Sequence, residues 1–524
     1  MAGRHEGGDG VSGGEGPKRA LVIGYGLSGR AATSWLAGQG FEVVVLEDSR
    51  QAGLDAVAAV EQVVVPGSGG ATVEVAPGAA RAAELARAAS LVVPSPGVPV
   101  GHPALVAALS SGTEIVSEIE LAWQVLEARR RDQAGAGPSY RLVAITGTNG
   151  KTTVTGLVTA MLAASGLTAV AAGNVGYPLL DAVATLTRAP AGPVTGASAD
   201  PGPGGDAGVV IVVAEVSSFQ LEYTRGFSPD VSCWLNFAPD HLDWHPNVEH
   251  YLRAKAKIWA HQAPGSVAVI NADDPVVLSR SSTVPAGVRV VTFGAGATWT
   301  VGPDAVEGPD GMVLKAADLP RAFPHDLANT AAALAVAMAA GADEQACRLA
   351  ARTTPAPPHR VQLVGEEGGV RWYDDSKATT PAAVLAGLSA FSSVVLIAGG
   401  RNKGLDLSEL ATAVPPVRAV VAIGEGAAEV AAAFGDLVPV RRATSMGEAV
   451  EMAGELSGPG DVVVLSPGCA SFDWYASYAQ RGEHFGALVR ARLTAGADSA
   501  PVHDNTAAIA KPAAIAKRGE VDER

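Results

Sequence analysis

The chain is 524 residues long with a formal net charge of −15, which speaks against a general nucleic-acid or anionic-membrane surface, although a few local Lys and Arg can still hold a nucleotide. Its hydrophobic fraction of 48% suffices for several cores, and at about 100–200 residues per domain the length points to three or four. Three scattered cysteines, Cys233, Cys347 and Cys469, fit neither a disulfide framework nor a closely spaced metal cluster, and no apolar run approaches the ~20 residues of a membrane span, so a soluble cytoplasmic protein is expected.

Met1–Pro17 is Gly-rich and polar, without the apolar stretch of a signal peptide, and Ala497–Arg524 is polar and Ala-rich; both read as disordered tails. Between them, short Val/Ile-rich runs alternate with Ala-rich helical patterns, the signature of parallel sheets covered by helices. Strands are expected at Ala20–Ile23, Glu42–Leu46, Leu91–Val93, Leu142–Ile145, Val209–Val213, Val267–Ile270, Val394–Ile397, Ala419–Ile423 and Asp461–Leu465. Polar breaks at Arg129–Ser139 and Thr353–Pro358 divide the chain into three α/β domains, about 18–135, 140–355 and 357–496, with Pro190–Gly208 a surface insertion in the second.

The first domain opens with Gly24-x-Gly26-x-x-Gly29 after a strand, followed about 20 positions on by Glu47-Asp48, the fingerprint of a diphosphate at a helix N-terminus and a sugar hydroxyl near an acid. That pattern alone fits NAD(P) and a UDP-sugar equally. The second domain begins with a buried-strand run into Thr146-Gly-Thr-Asn-Gly-Lys-Thr152, where loop amides favour triphosphate, Lys151 reaches the outer phosphates and the Thr152 hydroxyl suits Mg²⁺. The longer form of this loop wants Gly at 145, where the chain has Ile145. Glu215, just past a buried strand, is placed to bind Mg²⁺ or to sit on a helix dipole.

Asn236-Phe-Ala-Pro-Asp240-His241-Leu-Asp243-Trp-His245 lacks the spacing of a zinc site; His241 is either a ligand for a hard cation or acyl intermediate, or a solvated loop histidine. Lys255 and Lys257 read as solvated helix charges, and Cys469, with no histidine partner evident, as a small buried thiol. Polar loops follow three strand-like runs of the third domain: Asp374-Asp375-Ser-Lys377-Ala-Thr379, Gly399-Gly-Arg-Asn-Lys403 and Ser466-Pro-Gly-Cys-Ala-Ser471-Phe472. Such loops are where parallel sheets bind ligands.

With these motifs the chain resembles the Mur ligases over about 18–496, and among them the branch that adds D-glutamate. The short loop Thr-Gly-Thr-Asn-Gly-Lys-Thr-Thr is that family's, and Glu215-Val-Ser-Ser-Phe-Gln, Asp240-His-Leu-Asp, Pro358-His-Arg, Asp375-Ser-Lys-Ala-Thr and the Ser466–Asp473 run resemble that branch. The Asp-Asn-Pro-Arg stretch expected of diamino-acid-adding relatives is absent from the third domain, and folylpolyglutamate synthases share the middle domain but not this first domain.

The resemblance implies a Rossmann-like UDP-binding domain, a central P-loop ATPase-like parallel sheet and a Rossmann-like C-terminal domain. It implies an ATP-dependent ligase joining D-glutamate to UDP-N-acetylmuramoyl-L-alanine through an acyl phosphate, for cytoplasmic peptidoglycan synthesis, acting as a monomer. ATP would be held by Gly147, Thr148, Asn149, Gly150, Lys151, Thr152, Thr153, Asn174, Asn329, Arg360 and Asp375. The UDP substrate would meet Leu27, Ser28, Asp48, Ser49, Arg50, Gly97, Asn174 and His241. D-glutamate would meet Lys377, Thr379, Lys403, Ser471 and Phe472, whose cationic members suit two carboxylates. Catalysis would fall to Lys151, Glu215, His241, Lys255 and Lys377, with two Mg²⁺ on Thr152, Glu215, His241 and a carbamylated Lys255. His325-Asp326 departs from the family's usual Asn at 326, leaving Asn329 the safer nucleotide contact. The rival classes are an NAD(P) oxidoreductase built on the first fingerprint and a non-catalytic ATP-gated binding protein.

Overall fold

In the computed structural model, residues 18–49, 57, 71–132, 139–174, 176–188 and 209–499 are described. Arg50, the tail 1–17, most of the expected linker, all of the 190–208 insertion, and 500–524 lie outside them. Three sheets follow one another along the chain.

The first sheet contains β1 (Arg19–Ile23), β2 (Glu42–Glu47), β3 (Ala71–Val75), β4 (Leu91–Pro94) and β5 (Glu114–Ile115), all parallel, in the order β3-β2-β1-β4-β5. Its central strands are continuous Val/Leu/Ile runs because helices cover both faces. The order reverses between β1 and β4, so the Gly24 loop and the turn after β4 face each other.

The second sheet comprises β6 (Tyr140–Thr146), β7 (Thr168–Gly173), β8 (Val210–Glu215), β9 (Val231–Trp234), β10 (Val267–Asn271), β11 (Arg289–Gly294), β12 (Trp299–Val301), β13 (Ala305–Glu307) and β14 (Val313–Lys315). Its order is β14-β13-β12-β11-β10-β9-β6-β8-β7, parallel except for the meander β12–β14. The third has β15 (Gln362–Glu367) and β16 (Val370–Asp374) antiparallel at one edge, then β20 (Val462–Leu465), β17 (Val394–Gly399), β18 (Val417–Ile423) and β19 (Val440–Arg442), parallel. The last helix, Tyr478–Ser499, runs past Ala497, where a tail was expected.

The first two domains are less separate than the polar break at 129–139 suggested. Helix Glu118–Asp132 packs Ile119, Leu121, Ala122 and Leu126 into one apolar core with Ala20, Leu36 and Val93 on one side and Leu142, Trp234 and Trp259 on the other. Two carboxylates at its start fix it to the second domain. Glu120 accepts the backbone N–H groups of Arg225, Gly226 and Phe227 at 3.0–3.1 Å. Glu118 accepts the Leu180 N–H at 2.5 Å, at the start of helix Leu179–Arg188, while its Oε2 is buried without a partner. Burial pushes the Glu118 carboxyl up to about 7.

Truncation by Glu120→Ala leaves three N–H groups without their acceptor and should cost about 3 kcal/mol, read as a lower urea midpoint at unchanged m-value. Because the folded Glu118 pKa lies above its unfolded value, its contribution is full at acid pH and is lost as pH rises through about 7. Glu118→Gln should therefore flatten the fall in thermal midpoint between acid and mildly alkaline buffer; an unchanged slope would contradict a proton on Glu118.

Candidate active site

The glycine loop leaves β6 after Thr146. Ile145 is fully buried within the strand, paired with Glu215 of β8 and Cys233 of β9, so this chain has strand where the longer loop has its first glycine. Gly150 has φ +85°, and a Cβ there would meet Asn329 Oδ1 at 2.6 Å, so both backbone and space demand glycine. The segment after β9 holds the loop: Asn149 N donates to Asn236 Oδ1 at 2.8 Å, Asn236 Nδ2 returns a bond to the Asn149 carbonyl at 3.1 Å, and Thr148 Oγ1 donates to the Ala238 carbonyl at 3.0 Å. The helix begins at Lys151, which places the lysine and Thr152 at its first turn.

Lys151 Nζ turns back onto the Gly147 and Thr148 carbonyls at 2.8 and 2.9 Å. Lys255 Nζ reaches the same Gly147 carbonyl at 2.8 Å and lies 4.7 Å from the Tyr251 ring centroid. The reading of Lys255 as a solvated helix charge is overturned: it is 1% exposed, because its helix turns that face onto the loop. Burial, reinforced by Lys151, holds its amine well below the usual lysine range. Lys257 is half-buried and donates to the Glu222 carbonyl.

Glu215 ends β8 beside the loop, 3% exposed, with Asn174 Nδ2 donating to it at 3.1 Å. Asp240 is bridged by Lys403 of the third domain at 2.7 Å; despite its burial, His241 and Lys403 hold its carboxyl below the usual range. His241 sits next to it with φ +56°, a backbone conformation uncommon for residues other than glycine, and burial lowers its imidazole to about 4. His245 has Nε2 on Ser218 Oγ at 2.9 Å and Nδ1 on His250 Nδ1 at 2.8 Å, so both nitrogens are occupied by protein.

Strands β16, β20 and β17 bring the three expected loops of the third domain to one edge facing the glycine loop. Lys377 Nζ lies 3.3 Å from Thr152 Oγ1, and burial followed by Arg360 lowers its amine to about 8. Asp375, pushed up to about 7 by burial, accepts Ser466 Oγ at 2.7 Å and the Val361 N–H at 3.2 Å. Between the two domains lies a cavity of about 230 Å³ lined by Asn149, Gly150, Thr153, Asn236, Asn329, Arg360 and Asp375. Asp326 is taken by Arg321 in a two-point ion pair at 2.6 and 2.7 Å, and Arg321 also donates to the Arg360 carbonyl.

The remaining expected residues are more scattered. Leu27 (66% exposed), Ser28, Asp48, Ser49 and Gly97 lie along the carboxyl edge of the first sheet. There Asp48 is exposed and pairs with His102 at 3.1 Å, whereas Glu47 accepts the Tyr25 and Ser49 N–H groups at 2.9 and 3.1 Å. Ser471 is buried, Thr379 half-buried and Phe472 61% exposed. The aromatic ring beside Lys377 is that of Tyr478, 5.1 Å from Nζ, which sequence reasoning missed because it opens a helix outside the motif. Asn236 was also missed as the loop's clamp; its position directly after a buried β-rich run was the available signal. Cys469 is buried, its thiol pushed up to about 12, as expected of an inert cysteine.

Three family models match the chain: a Mur ligase MurD-like N-terminal domain over 18–117, a Mur ligase middle domain over 145–337 and a Mur ligase glutamate ligase domain over 359–469. Among curated relatives, a UDP-N-acetylmuramoylalanine--D-glutamate ligase of Frankia casuarinae is 39% identical, the match covering 90% of this chain and 94% of that one. The protein of that name from Shouchella clausii is 38% identical over 89% and 96%. Solved structures with the same fold include MurF from Acinetobacter baumannii, at TM-score 0.52 and 18% identity over 75% of this chain and 87% of that one. Another is the MurF ligase of Thermotoga maritima in complex with ADP, at TM-score 0.52 and 17% identity over 91% and 96%.

If the loop and Lys151 hold phosphates, Lys151→Ala should weaken Mg-ATP binding by about 100-fold or more in calorimetry while circular dichroism stays native. Near-normal affinity in a folded variant would contradict that role.

Proposed function

The chain belongs to the Mur ligase family, and from that premise we propose that it joins D-glutamate to UDP-N-acetylmuramoyl-L-alanine, using ATP, in peptidoglycan precursor synthesis. The observation that carries the chemistry is the gathering of Lys151, Lys377 and Arg360, each desolvated, around Glu215 where two sheets meet. Such a cluster is suited to a polyanion: ATP and the carboxylate that it activates. The domain roles follow the same order: UDP substrate on 18–135, ATP on 140–355, amino acid on 357–496. The cytoplasm suits all three substrates, and among the described residues no helix is long and apolar enough to cross a membrane.

In the reaction, an oxygen of the L-alanyl carboxylate attacks the γ-phosphorus, and the bond to the β-bridging oxygen breaks, releasing ADP. The D-glutamate amine then attacks the acyl carbon; the C–N bond forms, phosphate leaves and the amine loses its proton. Lys151 and the loop amides hold the phosphates, and Lys377, 3.3 Å from Thr152 Oγ1, offsets charge as the phosphoryl group moves. Lys403 and Lys377 receive the carboxylates of D-glutamate, with Ser471 and Thr379 as hydroxyl partners and Tyr478 rather than Phe472 as the aromatic wall. Arg360, Asp375, Asn174 and Asn329 complete the nucleotide contacts.

Oxygen donors Thr152 and Glu215 fit a hard cation such as Mg²⁺, which would supply charge neutralisation on the phosphates. Among the described residues no group of three or more His, Cys, Asp or Glu side chains is arranged to hold a metal, so phosphate oxygens have to complete the site. His241 and unmodified Lys255 do not fit a second Mg²⁺, since an amine adds positive charge or nothing. Burial keeps Lys255 toward its neutral form, the one that adds CO₂; the resulting carbamate is an anionic oxygen donor that does fit.

Phosphate release with UDP-MurNAc-L-Ala, Mg-ATP and a panel of amino acids tests the assignment. Turnover with D-Glu and little with L-Glu, L-Lys or diaminopimelate is expected; preference for a diamino acid would overturn it within the family, and saturable NADH binding without turnover would overturn it altogether. For Lys255, peptide mass spectrometry at neutral pH should show an added carboxylate that acid removes. An unmodified amine in fully active enzyme would eliminate the carbamate.

A further inference from the structure

Trp244 has no place in the chemistry above, yet it joins two regions that do. Its indole Nε1 donates to the Val98 carbonyl at 2.7 Å, across the seam between the first and second domains. Val98 closes the turn after β4, its N–H bonded to the Ser95 carbonyl at 3.0 Å with Gly97 between them. Ser95 Oγ in turn donates to the Gly24 carbonyl at 2.8 Å, so the turn is fastened to the glycine-rich loop of the first domain. On its inner side the indole lies 4.7 Å from the Phe219 ring, and Phe219 meets the His241 ring edge-on, also at 4.7 Å. The backbone repeats the link: the Trp244 N–H donates to the His241 carbonyl at 3.0 Å. Asp240, next in the chain, carries the Lys403 bridge to the third domain.

These contacts form an unbroken series from the diphosphate fingerprint to His241. Trp244 is 8% exposed, Phe219 packs against the His241, Trp244 and His245 rings, and His241 keeps a backbone conformation that its surroundings must enforce. Rings packed at this distance constrain one another's orientation, so a shift of one bears on the next. We propose that Trp244 is a positioning residue, coupling the seating of a nucleoside-diphosphate-linked carboxylate on the first domain to the orientation of His241 at the reacting end. The proposal rests on the ligase reading above.

Trp244→Phe keeps an apolar ring against Phe219 and removes the donor to Val98. With the full-length enzyme, kcat should fall about tenfold and KM for UDP-MurNAc-L-Ala should rise about fivefold, while KM for ATP stays within about twofold. Phe219→Leu leaves the indole–carbonyl bond and breaks the ring series; it should lower kcat similarly, and the double variant should be no worse than the worse single one. A purely structural contact would instead lower the thermal midpoint and leave the kinetic constants unmoved. That result, or losses in the double variant that multiply, would overturn the coupling. Absence of turnover by the wild-type enzyme would sink the ligase reading, a distinct outcome.

Discussion

Positive charge taken out of water around one carbonyl organises this molecule. Lys151 and Lys255 both donate to the Gly147 oxygen, and Arg360 and Lys377 approach from the facing domain. Desolvating Lys151, Lys377 and Arg360 costs stability, and Glu215 and Asp240 offset only part of it. The pKa values of Lys151, Lys255, Lys377 and Arg360 all fall for this reason. An arrangement so unfavourable when empty is favourable once phosphates enter, since the same low dielectric that penalises the cations strengthens their attraction for anions. The surrounding scaffold must then be stiff enough to hold them, and the Asn149–Asn236 bonds and the buried strands β6, β8 and β9 provide that rigidity.

The two seams between domains are built differently. First and second domains share an apolar core through helix Glu118–Asp132, sealed by carboxylates on backbone amides. Second and third meet chiefly through polar contacts, Lys403–Asp240, Lys377–Thr152 and Arg321–Arg360, with the Phe323–Phe391 ring pair as an apolar exception. Moving the third domain breaks a few side-chain bonds around a cavity; moving the first exposes core. The cavity lies at the polar seam, where parting the domains breaks the fewest buried apolar contacts.

What the sequence made legible was whatever depends on local pattern. Buried strands of parallel sheets are continuous apolar runs, and all nine expected ones exist, with ends shifted by a residue or two. Strands lacking such runs escaped: Thr168–Gly173 is alanine-rich and only partly buried, and β12–β14 are each three residues long. In the site, loop and strand-end residues stood where their motifs put them. Lys255 was misjudged from its own helix because the burial comes from the loop across it, and Tyr478 escaped notice because it opens a helix outside the motif. The common core of the first two domains was invisible for a similar reason: a run of three arginines at 129–131 looks like a linker, though the helix carrying it buries its other face.

The glycine missing at 145 follows from the same geometry. Thr146 Oγ1 donates to the Val216 carbonyl at 2.9 Å, and Ile145 pairs with Glu215, so β6 continues as strand until the carboxylate on β8 is alongside. The loop can begin only after that point, and it closes within Gly147–Gly150 before the helix starts at Lys151. A glycine at 145 would exchange a fully buried isoleucine for a residue that loosens the strand beside Glu215. Two residues on, the Gly147 carbonyl is where two lysines from different helices converge. The short loop is the form compatible with Glu215, Lys151 and Lys255 meeting at one place.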